Sequence, residues 1–180
     1  MGFADQYVLS LNANSLQDDD THHAAESLFA AAVADQSGAG FGALLSRVKY
    51  GDGSVSKLFE SGTRNLAELL RIWLKMVERK GVERRWVTVR GEWDMKMASA
   101  LYKRVAERSL AHWLDGKCES CGGTGVSSNK LVCSKCRGSG AAEVTGHGFE
   151  RELVLDMASE LECLLQAHNA RAGARLRRHP

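Results

Sequence analysis

Residues 118 to 140 read CESCGGTGVSSNKLVCSKCRGSG, in which the pattern Cys-x-x-Cys-x-Gly-x-Gly occurs twice and uses four of the chain's five cysteines. A Cys-x-x-Cys turn sets two sulfurs on one side of a tight loop, and two such turns supply the four soft donors of a tetrahedral site. Cys118, Cys121, Cys133 and Cys136 are the expected ligands of one metal ion, with zinc the expected metal. The glycines fit this reading, because a knuckle that turns its N–H groups toward thiolates uses left-handed backbone, which glycine adopts without strain. Eleven residues, Gly122 to Val132, separate the pairs. That is shorter than the ~15 to 20 residues usual between paired knuckles, yet long enough to return the chain. A redox pair of the thioredoxin type expects one Cys-x-x-Cys beside a βαβ pattern, absent here, and a disulfide staple expects an oxidising compartment. Four cysteines leave no position for a water, so the expected role is structural, contributing on the order of 10 kcal/mol to a module with little core of its own. Cys163, near Leu161 and Leu164 in a helical pattern, is expected in the core, and no histidine is assigned to the metal.

A chain of 180 residues with 44% hydrophobic content can bury one ordinary core, or a core plus a small satellite. No basic stretch leads into an apolar one at the N-terminus, and no apolar run approaches the ~18 residues needed to cross a bilayer. The expectation is a soluble cytoplasmic protein without a membrane partner. Its formal charge of +2 is unevenly spread: residues 1–40 hold six acids and no lysine or arginine, so all 24 basic residues follow Gly40. Such a bias suits a phosphate backbone and equally suits a solvated surface.

Residues 1–22 lack a sustained period, contain QDDD, and read as an acidic, poorly ordered lead-in. An alanine-rich stretch from His23 to Ala34 favours helix. QSGAGFG at 36–42 then breaks it, and without a preceding strand or a following Gly-Lys-Ser/Thr it reads as a turn packed closely around Phe41. Leu66, Leu69, Leu70, Trp73 and Val77 recur at helical spacing between Asn65 and Lys80, with Gly81 placed to end the element. From Asp94 to Leu114, Ala98, Leu101, Tyr102, Val105, Ala106, Ser109, Leu110 and Trp113 share one side of a helix, and Lys96, Lys103, Arg104 and Arg108 lie largely on the other. A last helix is marked by Phe149, Leu153, Met157, Leu161, Leu164 and Leu165, its acids outnumbering its bases. The expected class is mainly α. Its expected parts are the lead-in at 1–22, a helical domain at 23–116, a zinc-knuckle module at 117–140, a C-terminal helix at 141–170 and a frayed basic tail at 171–180.

The Cys-x-x-Cys-x-Gly-x-Gly knuckle occurs in co-chaperones of the DnaJ type, which carry four copies beside a domain with a His-Pro-Asp loop. Here there are two copies, and the one proline is Pro180. From about His23 onward the chain more closely resembles the Q antitermination proteins of lambda-like bacteriophages. The resemblance rests on the alanine-rich helix, then QSGAGFGALL with its Ala39-Gly40-Phe41-Gly42 element, then a helical pair leading into CESCGGTG, then CSKCRGSG and a helical end. The link between knuckles is shorter than in that family, and the C-terminus is shorter and more basic.

The resemblance implies two helices that flank the knuckles like an enlarged helix-turn-helix. It implies a factor that binds double-stranded DNA near a phage late promoter, loads onto bacterial RNA polymerase holoenzyme during a promoter-proximal pause and makes it read through terminators, acting beside the nascent RNA at its exit. On that reading Lys117, Lys130, Lys135 and Arg137 meet phosphates, His147 is a further DNA-binding residue, and Arg151, near the start of the last helix, approaches the duplex more deeply. Arg171, Arg175, Arg177 and Arg178 are placed to meet DNA or RNA, while Phe41, Leu44 and Leu45 are better used in a core than on polymerase. No spacing assembles a nucleophile, base and oxyanion donors, so no enzymatic activity is expected. A zinc-dependent repressor or activator and a DnaJ-like protein-binding module are the competing readings.

Overall fold

The computed structural model describes residues 2–11, 24–34, 40–51, 63–144 and 148–177. Six α-helices and no strand occur among them: α1 Phe3–Leu11, α2 Ala24–Val33, α3 Phe41–Gly51, α4 Thr63–Glu83, α5 Glu92–Asp115 and α6 Gly148–Leu176. The fold is mainly α, and the four cysteines lie between α5 and α6 in the chain. The chain divides into two compact units, Met1–Ile72 with Glu162–Pro180, and Trp73–Leu161, so the divisions fall inside α4 and α6 and not at the expected 116/117 and 140/141.

In the first unit, residues 3–11 form a helix where a poorly ordered lead-in is expected. Tyr7 and Ser10, three apart, face inward together, and Ser10 Oγ lies 2.6 Å from Ser27 Oγ of α2. Burial raises the Tyr7 phenol above its ordinary value, with Arg47 drawing it partly back. Gly40, at φ +67°, leads into α3, where Phe41, Leu45 and Val48 are buried. A Cβ on Gly42 would strike the His168 imidazole, so close backbone packing at this end of QSGAGFG is real. Residues 36–39 lie outside the described residues. The basic end is helical through Leu176, with Arg171 Nε donating to the Ala34 carbonyl at 3.1 Å, rather than a frayed tail from 171; Arg178 lies outside the described residues.

In the second unit, α4, α5 and α6 bury Trp73, Val77, Val105, Ala106, Val154, Met157 and Leu161. The Trp73 indole N–H donates to Ser109 Oγ at 3.0 Å, and Ser109 donates to the Ala106 carbonyl at 3.2 Å, so both buried polar groups are satisfied. Gly81 does not end α4. It lies within the helix against the Tyr102 ring, which occupies the space a Cβ would need. The terminator is Arg85, at φ +53°: its N–H bonds the Val82 carbonyl and that of Trp86 bonds Gly81, the paired closure usually built on a glycine. The α5 pattern is reproduced, with Ala98, Tyr102, Val105, Ala106, Ser109, Leu110 and Trp113 buried. On α6, Cys163 is exposed and not in the core, because burial follows Leu161, Leu165, His168 and Ala172, and position 163 lies across the helix from that line. Phe149 is exposed too.

Three acids of α6 have basic partners. Lys80 Nζ lies 2.6 Å from Glu160, Arg84 bonds Asp156, and Arg104 and Arg108 both reach Glu150, at 3.2 and 2.9 Å. No helix is long and apolar enough to cross a membrane among the described residues.

Candidate metal centre

The module opens and closes on itself. The Ala142 N–H donates to the Gly116 carbonyl at 2.8 Å and Lys117 bridges to Ala141, so the chain leaves α5 and returns beside its own exit. Between these points the two knuckles repeat with an offset of 15 residues. Gly125 N–H donates to Cys121 Sγ and Gly140 N–H to Cys136 Sγ, both at 3.3 Å. Thr124 Oγ1 donates to the Cys121 carbonyl and Ser139 Oγ to that of Cys136, both at 2.7 Å. The knuckles also lock each other: Cys118 N–H bonds the Gly140 carbonyl at 2.8 Å, and Cys133 N–H bonds Gly125 at 2.9 Å.

The glycines are placed by this symmetry. A Cβ on Gly125 would collide with the Gly138 carbonyl, and one on Gly140 with that of Gly123, at φ values of +74° and +71°. Each knuckle's last glycine is therefore required by the other's backbone.

The Sγ atoms of Cys118, Cys121, Cys133 and Cys136 all lie within 4.8 Å of one another, with Cys118 to Cys133 at 4.0 Å and Cys121 to Cys136 at 3.7 Å. A tetrahedral site with metal–sulfur bonds of about 2.3 Å has sulfurs about 3.8 Å apart, whereas a disulfide holds them at about 2.05 Å. The spacing fits a shared metal ion. Two of the four thiols, Cys133 and Cys121, are shifted toward the thiolate. The backbone N–H groups of Cys136 and Lys135 bring Cys133 down to about 6, against the opposing effect of burial. Burial would raise Cys121, yet the Gly125 and Gly123 N–H groups outweigh it and the net shift is downward, while burial keeps Cys118 raised. The tetrahedral donor set read from the sequence is thus brought together as a site that can hold one metal ion.

The residues expected to meet phosphate are only partly gathered. Lys135, Arg137 and Arg151 line one groove beside the second knuckle, and Lys117 and Lys135 line a neighbouring one. Lys130 stands exposed on the turn between Val126 and Val132, at φ +59°. Arg151 is 3.7 Å from the Glu143 carboxylate. His147 lies outside the described residues. Two features escaped the sequence reading, the reciprocal glycine contacts and the exposed apolar apex of Val126, Leu131 and Val132. Alignment of CESCGGTG on CSKCRGSG carries the first signal, since it pairs every glycine of the second copy with one of the first.

No protein-family model, curated protein or solved structure matches the chain.

Proposed function

We propose that this protein is a phage late-gene transcription antitermination factor, a non-enzymatic protein of the bacterial cytoplasm that binds DNA near a late promoter and loads onto RNA polymerase. The observation that carries the reading is the placement of basic side chains without carboxylate partners around a site whose thiolates and metal carry their own net negative charge. Lys80, Arg84, Arg104 and Arg108 are spent on carboxylates of α6, whereas Lys117, Lys130, Lys135 and Arg137 on the module have no carboxylate partner among the described residues. Cations left free on a compact, metal-held projection suit a phosphate backbone. The four cysteines take zinc as a structural ion, which supplies a fixed tetrahedral node and no chemistry of its own. The side chains around that node then present a rigid shape, and the order α5, module, α6 suits the enlarged helix-turn-helix that the family resemblance implies.

Nascent RNA near the exit channel is a further partner on this reading, because a factor seated there keeps a terminator hairpin from forming close behind the active site. The test is a terminator-readthrough assay with purified polymerase holoenzyme, on templates carrying the late-promoter region of the source phage. Readthrough that depends on that region and on the four cysteines is the expected result. DNA binding without readthrough would instead make the protein a zinc-dependent repressor or activator. The exposed apex of Val126, Leu131 and Val132 favours a second reading, a DnaJ-like protein-binding module. That reading requires suppression of client aggregation with little dependence on salt.

A further inference from the structure

The two knuckles share one backbone, so each serves as a control for the other. The 15-residue offset pairs Glu119 with Ser134, Ser120 with Lys135 and Gly122 with Arg137. At all three positions the second copy is the more positive. The last pair is the most informative. Gly122 and Arg137 both adopt left-handed backbone, at φ +61° and +51°, and the first knuckle shows that glycine serves the fold there. An arginine at such a position works against local conformational preference, and here its charge joins that of Lys135 and Arg151 in one groove, which the fold itself does not require.

We propose that the second knuckle is a phosphate clamp. Lys135, Arg137 and Arg151 line a groove of about 470 Å³ together with the Ser134 and Ser139 hydroxyls, and Glu143 is the one carboxylate among its lining residues. Lys135 and Arg137 have no ion pair among the described residues. Arg151 is held by Glu143 at 3.7 Å in a solvent-exposed pair, which a phosphate oxyanion can take over with a planar, two-pronged contact. The neighbouring groove, of about 620 Å³ beside the first knuckle, has the wrong sign, with Asp115, Glu119 and Glu143 against Lys117 and Lys135. Two neighbouring grooves thus differ in side-chain charge, each also lined by one ligand cysteine, Cys136 or Cys118, and the second-knuckle groove suits an anion better than the one that Lys117 lines.

The clamp rests on the nucleic-acid reading for the source of its phosphate, a backbone phosphodiester, although the same chemistry fits a free phosphate compound. The zinc-loaded full-length chain is titrated with inorganic phosphate, followed by amide shifts of the module, and with a short DNA duplex of arbitrary sequence at several salt concentrations. Arg137→Gly restores the residue found at the equivalent position, so it folds and raises the thermal midpoint. It should also weaken both probes about tenfold and lower the salt slope of duplex binding by about one. Lys135→Ser, again borrowed from the first knuckle, should weaken binding in the same direction. Arg85→Gly relieves the same backbone conformation outside the groove, so it should raise the midpoint and leave both affinities unchanged.

A stabilised Arg137→Gly protein that binds both probes like the parent overturns the clamp. Weakened phosphate binding with unchanged duplex binding keeps the clamp and assigns it a free phosphate compound. Absence of readthrough with both weakenings intact removes the antitermination reading alone.

Discussion

Around Trp73, three helices exclude water from Val77, Val105, Met157 and Leu161; between residues 117 and 142, the buried positions are Cys118, Gly125, Cys133 and Gly140. The first region follows the familiar rule that apolar area removed from water offsets chain entropy. In the second there is almost no such area to remove. Two glycines contribute no side chain and two cysteines contribute sulfur, so the order of that segment depends on donors converging on one point. The contrast extends to charge, because Lys80, Arg84, Arg104 and Arg108 on the helices are paired with acids, whereas Lys117, Lys130, Lys135 and Arg137 on the module have no carboxylate partner among the described residues. A single unit thus contains a region with an apolar core and a region in which four cysteines that can hold a metal ion take the place of one.

The largest expected effect separates the two directly. Zinc removal by a chelator, or Cys133→Ser, should abolish amide-exchange protection at Gly125 and Gly140, a loss on the order of 10 kcal/mol locally, while Val105 and Met157 stay protected. Equal loss in both regions would erase the contrast. Trp73→Ala should do the reverse. It lowers the chemical-denaturation midpoint by an amount equivalent to about 3–5 kcal/mol and leaves one zinc per chain by elemental analysis. Gly125→Ala and Gly140→Ala should each cost about 1–3 kcal/mol and slow metal uptake to a similar degree, because the two glycines occupy equivalent places against opposite carbonyls. A large difference between them would show that the knuckles are not energetically alike. Glu150→Gln, at the meeting of Arg104 and Arg108, is the smallest: the pairs are largely exposed, and the midpoint should fall by the equivalent of about 1 kcal/mol or less.

The sequence makes some of this legible and hides the rest for physical reasons. Ligand identity is written into Cys-x-x-Cys spacing, since two sulfurs per tight turn is a local property. The buried face of α5 is equally local, a matter of period. The pairing of α6 acids with Lys80, Arg84, Arg104 and Arg108 is not local, because it depends on which helix faces which, so those acids read as an unexplained surplus. Cys163 misleads through its neighbours: Leu161 and Leu164 flank it in sequence, but burial on a helix follows angle. Tyr7 and Ser10 belong to a segment whose composition suggests an unstructured lead, and packing against α2 overrides it. Arg85 escapes notice because a left-handed helix end is ordinarily announced by glycine.

The paired backbone segments at the root of the module, Gly116 with Ala142 and Lys117 with Ala141, form a stem whose two ends meet. A segment that starts and finishes at one place can lengthen, shrink or be exchanged without shifting the helices on either side of it. Its surface residues are therefore free to change while the scaffold beneath stays put. For an engineer, this root is the place to cut: closing the gap with a short turn should leave the helices in place without the four cysteines.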